Sequence, residues 1–478
     1  MPFRSLLSVL LVLYGCSPLL GGEVSVEGQG PGYAHQSIRI SVAYNPFVSL
    51  PDFTETIRCN ESGAFRHSFD LQQGRVVQFE MGSYQTYIYM EPGFHYRVVL
   101  PPYMQKEYAE LVSPFYQPVY APLEVISRTN MITGEVVKGT RDVNYSISRF
   151  DTAFTAANEK VILERRLGRT LNLDSIEKAL ETPFDGDTSR FFSQYRRYRY
   201  GILRLNEGRT GLETISRNYL GPVIRDDHPG FIELFRAMFR DFLYYFSETP
   251  DGNRLRYHIN RSHQVDSVRT IIRQHPAIWC DTLADMVLLQ ELSDLFYRGD
   301  YHKEAILILL DSMEHHPVSQ RLAGYAGQVK EKLASLTTGH IPPPFQLPDL
   351  NGELVSSEQF KGRYTYLFFG TPDHYGCMME YPFLQSFQEK HADYLQVVTI
   401  MVAEDPGKVK AFMERNGYSW KALYYDEQTT VLRDYQVRAF PMAYLLDPEG
   451  KLVLSPSPLP TDGFEQQLFR ILRAAGVL

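Results

Sequence analysis

Cysteine is scarce: 4 residues in 478, at positions 16, 59, 280 and 377. No two are close in sequence, so no pair can form a local dithiol motif. Positive charge is not in excess. Lys and Arg total 48 against 56 Asp and Glu, a net charge of -8, which argues against wrapping nucleic acid. Tryptophan occurs only twice, while Tyr (32) and Phe (29) supply the aromatic cores. Long apolar runs are missing apart from residues 6–13 (LLSVLLVL), too short to span a bilayer. No P-loop, G-x-S-x-G or H-E-x-x-H occurs, so the chemistry those motifs carry has no residues here. What remains is a globular composition, 44% hydrophobic and 22% charged, at a length that suggests about three domains.

The N-terminus has the layout of a signal peptide: Arg4, then the apolar run, then Leu13-Tyr14-Gly15-Cys16. This last stretch resembles a bacterial lipobox, with Tyr14 where a small or branched residue is usual. The resemblance implies lipidation of Cys16 after removal of residues 1–15, with 16–22 as a tether; plain cleavage near Gly21-Gly22 is the alternative. Ser17 after the acceptor favours the outer over the inner membrane. Stable anchoring would follow from the buried methylenes of the acyl chains. Cys59, Cys280 and Cys377 would then remain, an odd number that leaves at least one free thiol or an intermolecular bridge. Whether Cys59 and Cys280 pair is left open.

Residues 23–102 read as an all-β sandwich. Ile38, Ile40 and Val42 alternate with polar residues, as do Phe65, His67 and Phe69, and Tyr96, Val98 and Leu100. Asn60-Glu61-Ser62-Gly63 and Glu91-Pro92-Gly93 are turns. Asn60-x-Ser62 and Asn144-x-Ser146 match glycosylation acceptors but read as turn chemistry. Residues 103–338 read as mainly helical. Asp174-Ser175-Ile176-Glu177 has the form of a capping box. Phe231, Leu234, Phe235, Met238, Phe239 and Phe242 form one broad apolar stripe, and Leu288 to Phe296 another. Residues 305–310 and 322–333 suggest a helix pair. Arg196-Arg197-Tyr198-Arg199-Tyr200 reads as a solvated helix face over aromatics. Asp185-Gly186-Asp187 lacks the further oxygen ligands of a calcium loop. Three consecutive prolines within residues 339–350 make a stiff linker.

Residues 364–382, YTYLFFGTPDHYGCMMEYP, carry the strongest signal. A β-rich run breaks into a Gly/Thr/Pro/Asp turn, and a helix pattern through Met378, Met379, Pro382, Phe383 and Phe387 follows. Cys377-x-x-Glu380-x-Pro382 resembles the second half of W-C-x-x-C-x-x-E-x-P in the TlpA/ResA-like thioredoxin family. Residues 439–447 resemble the family's G-x-P-x-x-x-x-I-D segment. The resemblance covers residues 339–478. It implies an α/β thioredoxin fold, with Pro441 as the cis-proline and Glu380 and Cys377 as site residues. His374 stands where the family's attacking cysteine would be.

Dithiol exchange needs a thiolate at the first turn of the helix and a resolving Cys three residues on. With His374 in the first place, only the resolving-type Cys377 is left. A peroxiredoxin reading fails too, because His374 holds the place of its Thr or Ser and Thr371 is too far back. His374, Cys377 and Met442 are soft donors, but copper-binding relatives use one more thiol, so no metal and no other cofactor is expected. The expectation is a multidomain protein: β-sandwich, all-α domain, then thioredoxin fold. It is expected on the periplasmic side of the outer membrane, anchored by lipid, or alternatively free in the periplasm. The expected role is binding or scaffolding of an envelope protein or a thiol-containing or unfolded polypeptide, with no nucleic acid. The alternative is an active thiol-disulfide oxidoreductase that uses Cys377 as a single thiol.

Overall fold

A computed structural model describes residues 21–48, 53–107, 110, 116, 118–296, 298–425 and 430–478. Cys16 and the expected signal peptide lie outside the described residues. Ten strands come first: β1 Gly22–Gln29, β2 Ser37–Val42, β3 Phe53–Arg58, β4 Ala64–Leu71, β5 Arg75–Met81, β6 Tyr84–Met90, β7 Phe94–Val99, β8 Val119–Tyr120, β9 Glu124–Asn130 and β10 Val136–Lys138. They form two five-stranded sheets, ordered β10-β9-β7-β1-β4 and β3-β2-β5-β6-β8. Alternate residues of both sheets, among them Val24, Val26, Ile38, Ile40, Phe69 and Phe79, close one core. The strands run on to Lys138, well past the boundary expected at 102. The reason is visible in β9, where Val125 and Ser127 point inward between exposed Glu124 and Ile126 over too few residues for the alternation to stand out.

Helices run from Val143–Arg166 to Gln320–Ala334. The stripe from Phe231 to Phe242 is two helices, not one. Pro229–Met238 ends at Phe239, Asp241 adopts a left-handed φ of 56°, and Phe242–Ser247 starts anew. The helix Leu173–Glu181 is capped by Asn172, whose side chain accepts from the Ser175 N–H, not by the box read at Asp174. The basic-aromatic run is not a solvated face either. Arg196 is 5% exposed and lies over the Phe192 ring at 4.4 Å, and Arg199 lies over Phe154 at 4.3 Å. Their guanidinium planes pack on aromatic faces and meet Glu181 and Glu233. Cys59 lies in the sandwich core, while the Cys280 Sγ accepts from the Leu283 N–H at 3.4 Å; both are free thiols.

Among the described residues two seams between sandwich and helices stand out, with Arg75 Nη1 donating to the Asp227 carbonyl at 3.3 Å as a further link. Asn45 Nδ2 donates to the Tyr325 carbonyl and to Gln328 Oε1, while Phe47 inserts beside Phe235 and Tyr325. Asn144, one of the glycosylation-like asparagines, exchanges two hydrogen bonds with the Tyr89 backbone. No helix among the described residues is long and apolar enough to cross a membrane.

The last domain has β11 Gln346–Pro348 and β12 Leu354–Ser356 as an entry hairpin. Then come β13 Tyr364–Gly370, β14 Leu395–Met401, β15 Lys421–Tyr424, β16 Met442–Leu446 and β17 Leu452–Leu454. These five make a sheet ordered β15-β14-β13-β16-β17. β13, β14 and β15 are parallel, while β16 and β17 run antiparallel to their neighbours. Every residue of β13 is buried, as expected of a strand covered on both faces. The helix Tyr375–Lys390 makes the crossover from β13 to β14. Chain order, mixed sheet and crossover together are those of a thioredoxin fold.

Candidate active site

The site forms where β13 ends. Gly370 must be glycine: an added Cβ would stand 2.7 Å from the Phe368 ring, 2.8 Å from the Tyr381 hydroxyl and 3.3 Å from Cys377 Sγ. Thr371 follows and holds the turn from two sides. Its Oγ1 accepts from the His374 N–H at 3.1 Å, and its carbonyl accepts from the Tyr381 hydroxyl at 2.8 Å. His374 is the N-cap residue of the helix, in extended backbone, and its ring is exposed and caps nothing.

Cys377 is 0% exposed. Burial pushes its thiol up to about 11, although the Thr371 backbone and the Tyr381 hydroxyl pull it down. The His374 Nδ1 lies 3.9 Å from Cys377 Sγ, too long for a close ion pair. Pro441 faces this first turn. A Cβ on Gly376 would meet Pro441 Cδ and His374 Cε1, each at 3.2 Å. The Phe440–Pro441 bond is cis. His374, Cys377 and Pro441 are therefore brought together. Glu380, three residues on, acts on the Cys377 thiol through its charge, pushing it up. Glu380 is buried and accepts from the Thr461 N–H at 3.0 Å and the Thr461 hydroxyl at 2.5 Å, tying the helix to the turn Pro460–Asp462. Met442 follows Pro441 directly and is half-buried.

The helix presents a different face from the one its apolar pattern suggests. Cys377, Glu380, Tyr381, Leu384 and Phe387 are buried. Tyr375, Met378, Met379 and Phe383 are exposed by 72%, 45%, 50% and 45%. Both sets have helical spacing, so periodicity alone could not choose between them. Thr371 and Tyr381 are the residues the sequence reading missed. The signal for Thr371 was its place at the strand end; nothing in the sequence marks Tyr381 as its partner.

Chemically, the site holds no exposed thiol. A buried thiol that titrates this high supplies little thiolate at neutral pH, and imidazole cannot replace sulfur in a mixed disulfide.

Residues 338–455 match the AhpC/TSA family. The thiol-disulfide oxidoreductase ResA of Bacillus subtilis (strain 168) is 31% identical over 121 residues, 25% of this chain and 66% of that protein. The thioredoxin-like protein YneN of the same organism is 28% identical over 137 residues, 27% of this chain and 79% of that protein. Among solved structures, the thioredoxin domain of a thiol-disulfide oxidoreductase from Bacteroides vulgatus is 26% identical. It covers 28% of this chain and 98% of that one, at a TM-score of 0.27.

Proposed function

The C-terminal domain belongs to the TlpA/ResA-like family of thiol-disulfide oxidoreductases, and from that premise we propose that it binds polypeptide without exchanging disulfides. The observation that carries this reading is the pairing of an exposed His374 at the attacking position with a fully buried Cys377 behind it. The exposed Tyr375, Met378, Met379 and Phe383 stripe supports it, since a contiguous apolar patch at a surface favours a partner and thioether side chains adapt to varied ones. The chain as a whole serves as a binding or scaffolding protein of the cell envelope, held there by lipid on Cys16. Labelling with a palmitate analogue should mark the wild type and not Cys16→Ser; equal labelling of both would remove the anchor from the proposal.

Insulin reduction tests the central claim. The wild type should show no activity above background. His374→Cys places a thiol at C-x-x-C spacing on the helix N-terminus, and this variant should titrate as a reversible disulfide. Turnover by the wild type that disappears in Cys377→Ser would replace the binding reading with a single-thiol enzyme, the role to which the His374–Cys377 proximity would then belong.

A further inference from the structure

Where the three domains meet they enclose a half-open cleft of about 1720 Å³. Small-molecule pockets are typically ~300–1,000 Å³, so this cleft is sized for a longer ligand. Aromatic rings line one side. Tyr87 and Tyr120 stack at 6.4 Å, both substantially exposed, and Tyr89 stacks on Phe191 at 3.8 Å.

Charge is distributed unevenly over the walls. Most of the lining acids are held by arginines that do not line the cleft: Glu80 by Arg39 at 3.1 Å, Asp226 by Arg321 at 2.6 Å, Asp227 by Arg225 at 2.9 Å, Asp151 by Arg199 at 3.5 Å, and Glu233 by the same Arg199. Glu110 accepts from the Ser83 hydroxyl at 3.0 Å. By contrast Arg236, Arg240, Lys332 and Arg433 all line the cleft, and none has a carboxylate within 4.0 Å among the described residues. Arg236 donates to the Pro46 carbonyl instead. Asp294, which also lines the cleft, acts electrostatically on Arg236 and Arg240, and Asp434 acts on Lys332 and Arg433, each from beyond 4.0 Å. Four cations thus face the cleft with their charge largely uncommitted, in a chain whose net charge is negative. Lys332 is held down to about 8 by burial and by Arg433 beside it, a state that a bound anion would relieve.

The cleft shares one loop with the site described above, although His374, Cys377 and Pro441 do not themselves line it. Residues 436–438 line it, and Phe440–Pro441 follow within the same loop. We propose that this cleft binds an extended acidic segment of a partner polypeptide, continuing from the Pro441 loop across all three domains. The proposal rests on the polypeptide-binding reading, because continuity with that loop is what favours a polypeptide over another polyanion. Tyrosine and arginine side chains are the residue types that most often anchor such contacts.

A fluorescent peptide of about 12 residues, alternating Glu with Ala and reaching ~40 Å when extended, is the probe. Its anisotropy is measured with the full chain, beside a Gln-for-Glu peptide and a sulfated oligosaccharide. The acidic peptide should bind, weaken as salt rises, and lose about tenfold in affinity in Lys332→Glu/Arg433→Glu. The exposed Arg240→Glu, which disturbs no packing, should weaken it in the same direction if the double variant fails to fold. Equal binding of the acidic and Gln peptides, an affinity unmoved by these reversals, or binding of the oligosaccharide alone would each overturn the proposal. The insulin assay is independent of this one, so an active wild-type thiol would remove the binding reading while leaving the charge dependence of the cleft measurable.

Discussion

Cys377 shows how burial decides chemistry at a single residue. With its thiol pushed up to about 11, roughly one molecule in ten thousand carries thiolate at pH 7. A bulky maleimide should therefore label Cys280, which is only half-buried, well before Cys377. Cys377 should react only at the rate of unfolding in urea, and fast native labelling would mean that the helix opens. His228 makes the same point with a different sign. Burial lowers it from 6.5 to about 4, while its Nδ1 caps the Gly230 N–H and its Nε2 meets the Phe191 carbonyl. Between those two pH values the unfolded chain holds a proton that the folded chain refuses. Stability therefore rises with pH through this window and falls as acid is added, by roughly 3 kcal/mol in full. Urea unfolding at pH 7 and pH 4.5 should show the loss in the wild type. His228→Asn keeps a capping oxygen but has no proton to gain, so it should show a smaller loss. In the sequence His228 is marked only by the Pro229 that follows it; its burial is a tertiary fact.

Element by element, legibility followed how local each determinant was. The strand at Tyr364–Gly370, the turn after it and the helix from Tyr375 were readable because punctuation and period change within a few residues. The helix's buried face was not, since two apolar stripes share it and only the sheet selects one. The break at Asp241 was hidden because phenylalanines continue on both sides of it. The helix Asp281–Leu295 carries a subtler case. Asp285 lies 1% exposed among Leu283, Ala284 and Met286, where sequence gives no cause for a carboxylate. Arg269 supplies it, donating at 2.6 and 3.0 Å to the two oxygens and at 3.2 Å to the His316 carbonyl, and so joins three helices. Asp285→Ala leaves that guanidinium buried with only the exposed Asp266 carboxylate, at 2.8 Å, to meet its charge, and should cost about 3 kcal/mol. Chemical denaturation should show this as a lower midpoint with the slope unchanged. Replacing both residues with apolar ones should cost less than the single change.

At the scale of the whole molecule, the order of sandwich, helices and thioredoxin fold was legible, but the contacts between them were not. One set of those contacts comes from a loop, residues 43–48, between the strands Ser37–Val42 and Phe53–Arg58. Phe47 leaves the sandwich and joins the helical core, 6.2 Å from Phe235 and 6.0 Å from Tyr325, at 7% exposure. Asn45 beside it caps its own loop through the Phe47 N–H at 2.9 Å and reaches Gln328 at 2.8 Å. The plug therefore couples the folding of two domains and holds one wall of the cleft against Arg236. Phe47→Ala deletes a buried ring at this junction and should cost about 3 kcal/mol. Because the ring belongs to one domain and its pocket to the other, the loss should fall on coupling more than on either core. Calorimetry should resolve the sandwich and the helical domain into separate transitions in Phe47→Ala, where the wild type melts them together. Acidic-peptide affinity should drop in the same variant although no charge has changed, since the cleft is only as well formed as the seam beside it. A variant that still melts in one transition would assign the coupling to the second seam, where Asn144 grips the Tyr89 backbone, and Asn144→Ala should then split it.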